Sequence, residues 1–173
     1  MPITSCQQYI KGLLDGLPMP GGAPPLAAYV TPPDPNVESE IPTAYIWPSD
    51  GDESRNTNMA GTMPRNTGPG TFSGDKTINH RLTVWFVWFQ ADDDSDADTL
   101  FPGMVDAIMY ALRFAVPDPE EYLTDPWTGG LSQLADTGEN MRYRIDPPHS
   151  TKSQRYLMYV AEIDLPLIEV ISA

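Results

Sequence analysis

The spacing of hydrophobic residues along the chain predicts two helices. Residues 3 to 17 repeat isoleucine and leucine at intervals of three and four, which is typical of an amphipathic helix with one buried face. A second helix is predicted from about Asp98 to Ala115, where a wider apolar stripe repeats at the same intervals. Prolines follow both segments, and prolines of this kind end helices.

Alternation of apolar and polar residues predicts six strands. The strongest is Ile78 to Phe89, in which every second residue from Leu82 to Trp88 is large and apolar. The others are predicted at residues 26–31, at 43–47, on both sides of a turn at 137–140, and from Arg155 to Val170. We expect a polar connection from Asp146 to Ser153. This order predicts an α+β fold: a mostly antiparallel, curved β-sheet with two main helices packed on one face.

A chain of 173 residues is long enough for a single domain with its own core, spanning residues 1–173. One segment, from about residue 48 to 75, shows no helical or strand period. Long irregular segments inside compact domains are often functional. Two interpretations stay open, a mobile surface loop and a contact arm that becomes ordered on assembly. The candidate contact residues are Arg55, Met59, Met63, Arg65 and Phe72.

The strongest strand and the last strand carry apolar residues on both faces. Two helices cover only one side of a sheet, so we expect the second set of apolar residues to face outward on an isolated chain. A large exposed apolar patch marks a partner surface, and a second copy of the chain is the simplest partner. The candidate subunit-interface residues are Trp85, Val87, Phe89, Tyr156 and Met158.

The formal net charge is −14 at pH 7, with ten Lys and Arg residues scattered along the chain. Such a surface repels nucleic acid and anionic lipid, so we expect no sequence-specific nucleic-acid binding and no membrane binding. The longest apolar run, Val84 to Phe89, is too short to cross a bilayer. A single cysteine, Cys6, fits a buried helical position and synthesis in a reducing cytoplasm. We expect no signal peptide.

An acidic turn precedes the second helix and contains Asp92, Asp93, Asp94 and Asp96. Its spacing begins like a calcium-binding EF-hand loop, but Ala97 replaces the required glycine and Gly103 replaces the required glutamate. A solvated turn is therefore favoured over weak cation binding. Neither histidine has a second ligand at metal-binding spacing, and no catalytic motif is found. We expect no enzymatic activity, no metal and no cofactor.

The order of these elements resembles the tail terminator (tail-completion) proteins of long-tailed bacteriophages. The resemblance is a pattern of elements that covers most of the chain. The loop at 48–75 and an insertion at 118–130 depart from it. Its elements are the first helix with Cys6-Gln-Gln-Tyr-Ile10, the strand His80 to Phe89, the turn Asp92 to Asp98, the helix Leu100 to Arg113 and the strand Tyr156 to Leu165.

The resemblance implies a structural virion protein, made in the host cytoplasm and incorporated at the head–tail neck. Members of that family form a homo-oligomeric, hexameric ring that caps the tail tube and offers a docking face for the connector. The implied partners are other copies of the chain, the tail tube protein and a neck or connector protein. The acidic turn would then line the lumen or rim, where negative charge lets DNA pass. The alternatives are another connector or tube component, or a monomeric ligand-binding module.

Overall fold

The computed structural model describes residues 3–31, 40–55, 76–91, 96–113, 123–124, 131–135, 140–151 and 156–171. These residues form two α-helices, a short 3₁₀ helix at Pro20–Gly22 and seven strands. The helices are α1 (Ile3–Leu14) and α2 (Ala97–Arg113). The strands are β1 (Ala27–Tyr29), β2 (Thr43–Arg55), β3 (Lys76–Ala91), β4 (Leu123–Thr124), β5 (Leu131–Ala135), β6 (Arg142–Ser150) and β7 (Tyr156–Ile171).

All seven strands belong to one sheet, in the order β1-β2-β3-β7-β5-β4, with β6 also paired to β7. The β1–β2 pairing is parallel, and the other pairings described are antiparallel. Strand β7 lies at the centre. One of its edges pairs with β3 over its whole length, and the other pairs with β6 at residues 157–164 and with β5 at 168–171. The predicted α+β fold with a mostly antiparallel sheet is confirmed.

Both α-helices pack on the same face of this sheet, and the core lies between the helices and the sheet. Helix α1 buries Cys6, Ile10 and Leu14 completely. Helix α2 buries an aromatic and aliphatic stripe in which Phe101 stacks on Phe86 of β3, with ring centroids 5.1 Å apart. The sheet residues they cover are Ala44, Ile46, Leu82, Val84, Phe86, Trp88, Tyr159, Ala161, Ile163, Leu165 and Leu167. The predicted buried position of Cys6 is confirmed.

Three hydrogen bonds fix the positions of the two helices and of the segment before β2 on the sheet. The Gln7 side chain of α1 donates to the Ile46 carbonyl at 2.9 Å, inside the core. The Tyr159 hydroxyl of β7 donates to the Asp98 carboxylate of α2 at 2.8 Å, and the Trp88 indole N–H donates to the Glu40 carbonyl at 3.1 Å. Buried polar groups destabilise a fold unless they are hydrogen-bonded, so each contact also specifies a position.

Strand β2 is longer than the sequence pattern predicts. It was expected to end at Trp47, but it continues to Arg55 and pairs with β3 as far as Lys76, with an irregularity between Pro48 and Asp50. Pairing with a long neighbouring strand supplies the backbone hydrogen bonds that the local composition does not indicate. Residues 48–55 of the predicted irregular segment therefore belong to β2. Four of that segment's candidate contact residues lie outside the described residues: Met59, Met63, Arg65 and Phe72.

Strand β6 also extends into a predicted connection. The segment from Asp146 to Ser153 was expected to be a polar connection, and this prediction is wrong, because β6 runs to Ser150. Its pairing with β7 shifts between Asp146 and His149, where Pro147 and Pro148 lie. A proline lacks the N–H that a ladder needs, so an irregularity on an edge strand is where prolines are tolerated.

A tight connection joins α1 to β1 and brings the 3₁₀ helix against α2. The Gly16 amide donates to the Leu26 carbonyl at 2.8 Å, and the Leu26 amide donates to Leu17 at 2.9 Å. In the 3₁₀ helix Gly21 has φ +71°, and a Cβ built there would lie 2.5 Å from Cδ2 of Leu100. Glycine is therefore favoured at this position, because another residue would have a strained backbone angle and the Leu100 side chain would have to move.

Candidate functional site: the outer face of the sheet

The face of the sheet opposite the helices, called here the outer face, carries a continuous cross-strand row of five side chains. The strand register places each member directly opposite the next, on five neighbouring strands. The row runs, from β1 to β6, through Tyr29, Tyr45, Trp85, Glu162 and Arg144. Side chains directly opposite each other on one face interact. The outer face therefore has an aromatic half, on β1 to β3, and a charged half, on β7 and β6.

The aromatic half is exposed although its rings contact each other. Tyr29 and Tyr45 stack with centroids 5.9 Å apart and planes 22° apart. Tyr45 and Trp85 lie 6.3 Å apart with planes tilted by 56°. Trp85 is 43% exposed and Trp47, two residues further along β2, is 56% exposed. We call Tyr29, Tyr45, Trp47 and Trp85 the aromatic patch. Four large rings in this arrangement are concentrated apolar surface in contact with water.

Tyr45 lies at the centre of the patch, and its surroundings disfavour the phenolate. Partial burial raises the pKa of the Tyr45 hydroxyl to about 12, and the nearby phenol of Tyr29 adds to the effect. A hydrogen bond with Thr43 acts in the opposite direction and lowers that pKa. The centre of the aromatic patch is consequently uncharged throughout the physiological pH range.

The charged half is largely neutralised within the chain. The Arg144 guanidinium contacts two carboxylates, with Nη2 3.1 Å from Glu162 Oε2 and Nε 3.1 Å from Asp146 Oδ1. The Thr83 hydroxyl donates to Asp164 at 3.3 Å, and Arg142 lies opposite Asp164 in the register. Exposed ion pairs of this kind contribute only about 0–1 kcal/mol each to stability. Their main consequence is local: two arginines and three carboxylates give this half a small net charge.

The predicted interface residues differ in how much of each is exposed. Trp85 is well exposed, whereas Phe89, Tyr156 and Met158 are half-buried. Val87 is only 7% exposed, so the expectation that it faces solvent on an isolated chain is wrong. Val160, its neighbour on β7 and on the same face, is only 4% exposed, so this end of the outer face is covered. A partner would therefore contact Val87 only after local rearrangement.

Three members of the aromatic patch were not predicted: Tyr29, Tyr45 and Trp47. The signal was present in the alternation of Thr43-Ala-Tyr-Ile-Trp47, because Ala44 and Ile46 are the buried residues of this strand. Residues that alternate with a buried pair must lie on the opposite face. Applying that rule to β2 as it was applied to β3 would have identified two of the three.

The acidic turn is described only at its last residue, Asp96. The Asp96 carbonyl accepts hydrogen bonds from the amides of Thr99 and Leu100, both at 3.0 Å, at the start of α2. Asp92, Asp93 and Asp94 lie outside the described residues. Within the described ranges, no three His, Cys, Asp or Glu side chains are grouped so that they could hold a metal ion. The described part of the chain contains no helix long and apolar enough to span a membrane.

Comparisons of the chain with protein-family models, with curated protein sequences and with solved structures found no match. Tyrosine, tryptophan and arginine are the residues that protein–protein contacts use most, with aromatic rings at the centre and polar groups around them. The aromatic patch, with Arg142 and Arg144 two strands away on the same face, has this composition.

Proposed function

We propose that the protein is a structural subunit that assembles with copies of itself through the outer face of its sheet. The assembly is a ring, and the ring acts as a tail terminator of a long-tailed bacteriophage. It caps the tail tube at the head–tail neck and offers a docking face to the connector. The observation that carries the proposal is the exposed aromatic patch on a sheet face that neither α1 nor α2 covers. The resemblance in the order of elements supplies the particular assembly.

The aromatic patch favours a protein partner because covering it releases a large apolar area from water. A tryptophan side chain has roughly 250 Å² of surface. With Trp85 43% exposed and Trp47 56% exposed, covering both removes about 250 Å² in total. At ~25 cal/mol per Å² that corresponds to about 6 kcal/mol before the costs of association. A gain of this size from two residues is sufficient to make the patch the centre of an interface.

Charge favours a second copy at this face in particular. Each chain carries a net charge of −14, so two copies repel each other over most of their surfaces. On the outer face, Arg144 is paired with Glu162 and Asp146, and the aromatic patch is uncharged. Repulsion between copies is therefore smallest where the apolar gain is largest. A ring of acidic subunits would also leave a negatively charged lumen, through which DNA passes without binding.

The test of the terminator role is to mix the purified protein with purified tail tubes and locate it by electron microscopy. We expect the protein at tube ends only, as rings of uniform diameter. Binding along the sides of the tubes would instead indicate another tube component. A compact monomer that does not bind tubes and whose melting temperature rises with a small molecule would indicate a ligand-binding module. Either result would contradict the proposal.

A further inference from the structure

Strand β6 is exposed on both faces and along one edge. Eight of its nine residues are exposed, and Asp146 is half-buried. It pairs with β7 on one side, and none of the described strands pairs with its other edge. Tyr143, 57% exposed, and Ile145 project on the helix side of the sheet, beyond the cover of the helices. An uncovered edge with apolar side chains is a template for pairing with another chain.

The sheet edge formed by β1 is blocked against a further strand by a side chain of the same protein. Strand β1 has three residues, and the Ala27 amide donates to the Pro42 carbonyl beside β2 at 2.9 Å. Successive amides alternate in direction along a strand, so the Ala28 amide points to the outer edge. There it donates to Oδ1 of Asp15 at 3.2 Å, and Lys11 holds that carboxylate at 2.7 Å. Adding a strand beside β1 would displace Asp15, so head-to-tail extension of the sheet from β6 to β1 is disfavoured.

We propose that residues Arg142 to Asp146 of β6 pair antiparallel with the same five residues of a second copy, across a two-fold axis at Arg144. This register sets Arg142 opposite Asp146 of the second copy, twice by symmetry. It also sets Tyr143 opposite Ile145 of the second copy. The partner is therefore identified by charge complementarity: the strand carries both halves of two ion pairs and both halves of two apolar pairs.

Neighbouring registers are worse. Moving the axis one residue towards the N-terminus, to Tyr143, sets Arg142 against Arg144 of the second copy twice, which is repulsive. Moving it the other way brings Pro147 into the pairing, and proline cannot donate to a ladder. At the chosen axis the two Arg144 side chains meet, but each guanidinium also contacts Glu162 of its own chain, so Asp146 can pair across the axis. The five residues before the prolines are thus suited to pair with themselves.

This two-fold contact goes beyond the proposed function and does not depend on it. It uses the edge of β6 with which no described strand pairs and the charged half of the outer face, whereas the ring contact uses the aromatic patch. If both form, one joins subunits within a ring and the other joins a subunit to a copy outside it. The two contacts can therefore be removed separately.

Site-specific disulfide formation tests the register. In the Arg144→Cys variant, two Cα atoms at the axis would lie about 4.5–5.5 Å apart, within the range of a disulfide. In the control His149→Cys, which is exposed on the same strand and face but outside the proposed pairing segment, they would lie about 30 Å apart. The natural Cys6 is buried and does not interfere. After mild oxidation we expect at least tenfold more cross-linked dimer from Arg144→Cys. Equal cross-linking, or none, overturns the proposal.

Charge reversal at exposed Arg142 and half-buried Asp146 provides a second arm. Arg142→Asp should lower the dimer fraction at least tenfold, and adding Asp146→Arg to the same chain should restore it, because the reversed pair is again complementary. If the double variant associates no better than the single one, the register is wrong. Trp85→Ser should leave cross-linking of Arg144→Cys unchanged; a parallel loss would mean that the strand contact is only a by-product of the ring contact.

Discussion

Replacing two tryptophans of β3 in turn separates folding from assembly. Trp88 is 3% exposed and packs against Tyr159 with centroids 5.8 Å apart, whereas Trp85 on the opposite face is 43% exposed. For a side chain of roughly 250 Å² this difference is about 100 Å², or about 2.5 kcal/mol at ~25 cal/mol per Å². Trp88→Ala also leaves the Glu40 carbonyl without its indole donor. We expect Trp88→Ala to lower the free energy of unfolding by about 3–5 kcal/mol and Trp85→Ala by about 1–2 kcal/mol.

Urea unfolding followed by circular dichroism measures both values. It should be done at the lowest practical protein concentration, because association adds apparent stability by mass action. The slope of the transition should be unchanged for Trp85→Ala, which shows that the comparison is between the same folded and unfolded states. Equal losses for the two variants, or a larger loss for Trp85→Ala, would refute the assignment of Trp88 to the core face and Trp85 to the outer face.

Two further experiments test the contacts described above. Gly21 and Gly22 both have a positive φ, but only a Cβ at Gly21 would lie against Leu100. We therefore expect Gly21→Ala to be about 1–3 kcal/mol less stable than Gly22→Ala, and adding Leu100→Ala should remove this difference. Equal stabilities of Gly21→Ala and Gly22→Ala in urea would contradict this packing. Burial of neutral Tyr45 stabilises the fold fully below pH 10, and this is lost as pH rises towards about 12, because the unfolded chain loses its proton first. The stability advantage of wild type over Tyr45→Phe should therefore shrink between pH 10 and about pH 12, and a constant difference would contradict the raised pKa.

The fold could be predicted from the sequence where one face of an element is buried. Helices α1 and α2 and strands β3 and β7 each repeat apolar residues at the period of their element, so their type and extent were predicted to within a few residues. Strands β2 and β6 were predicted too short because their C-terminal halves are polar and contain Pro48, Pro147 and Pro148. Their strand conformation comes from pairing with β3 and β7, which is a long-range property that no local pattern records.

The candidate site could be predicted in part. Trp85 was identified because apolar residues on both faces of β3 exceed what two helices cover. Tyr29 and the row that continues into Glu162 and Arg144 depend on the register of five strands, and register is set by the whole sheet. The burial of Val87 depends on neighbouring side chains for the same reason. The assembly that the outer face serves stays a prediction.

The central claim is that copies of the chain meet through the aromatic patch. Sedimentation equilibrium of wild type, Trp85→Ser and Tyr110→Ser tests it most directly, since Tyr110 is an equally prominent aromatic residue on α2, 63% exposed and away from the outer face. We predict a single multimeric mass for wild type and for Tyr110→Ser, and at least a tenfold weaker association for Trp85→Ser. A monomeric wild type, or the same assembly mass for all three proteins, would contradict the account.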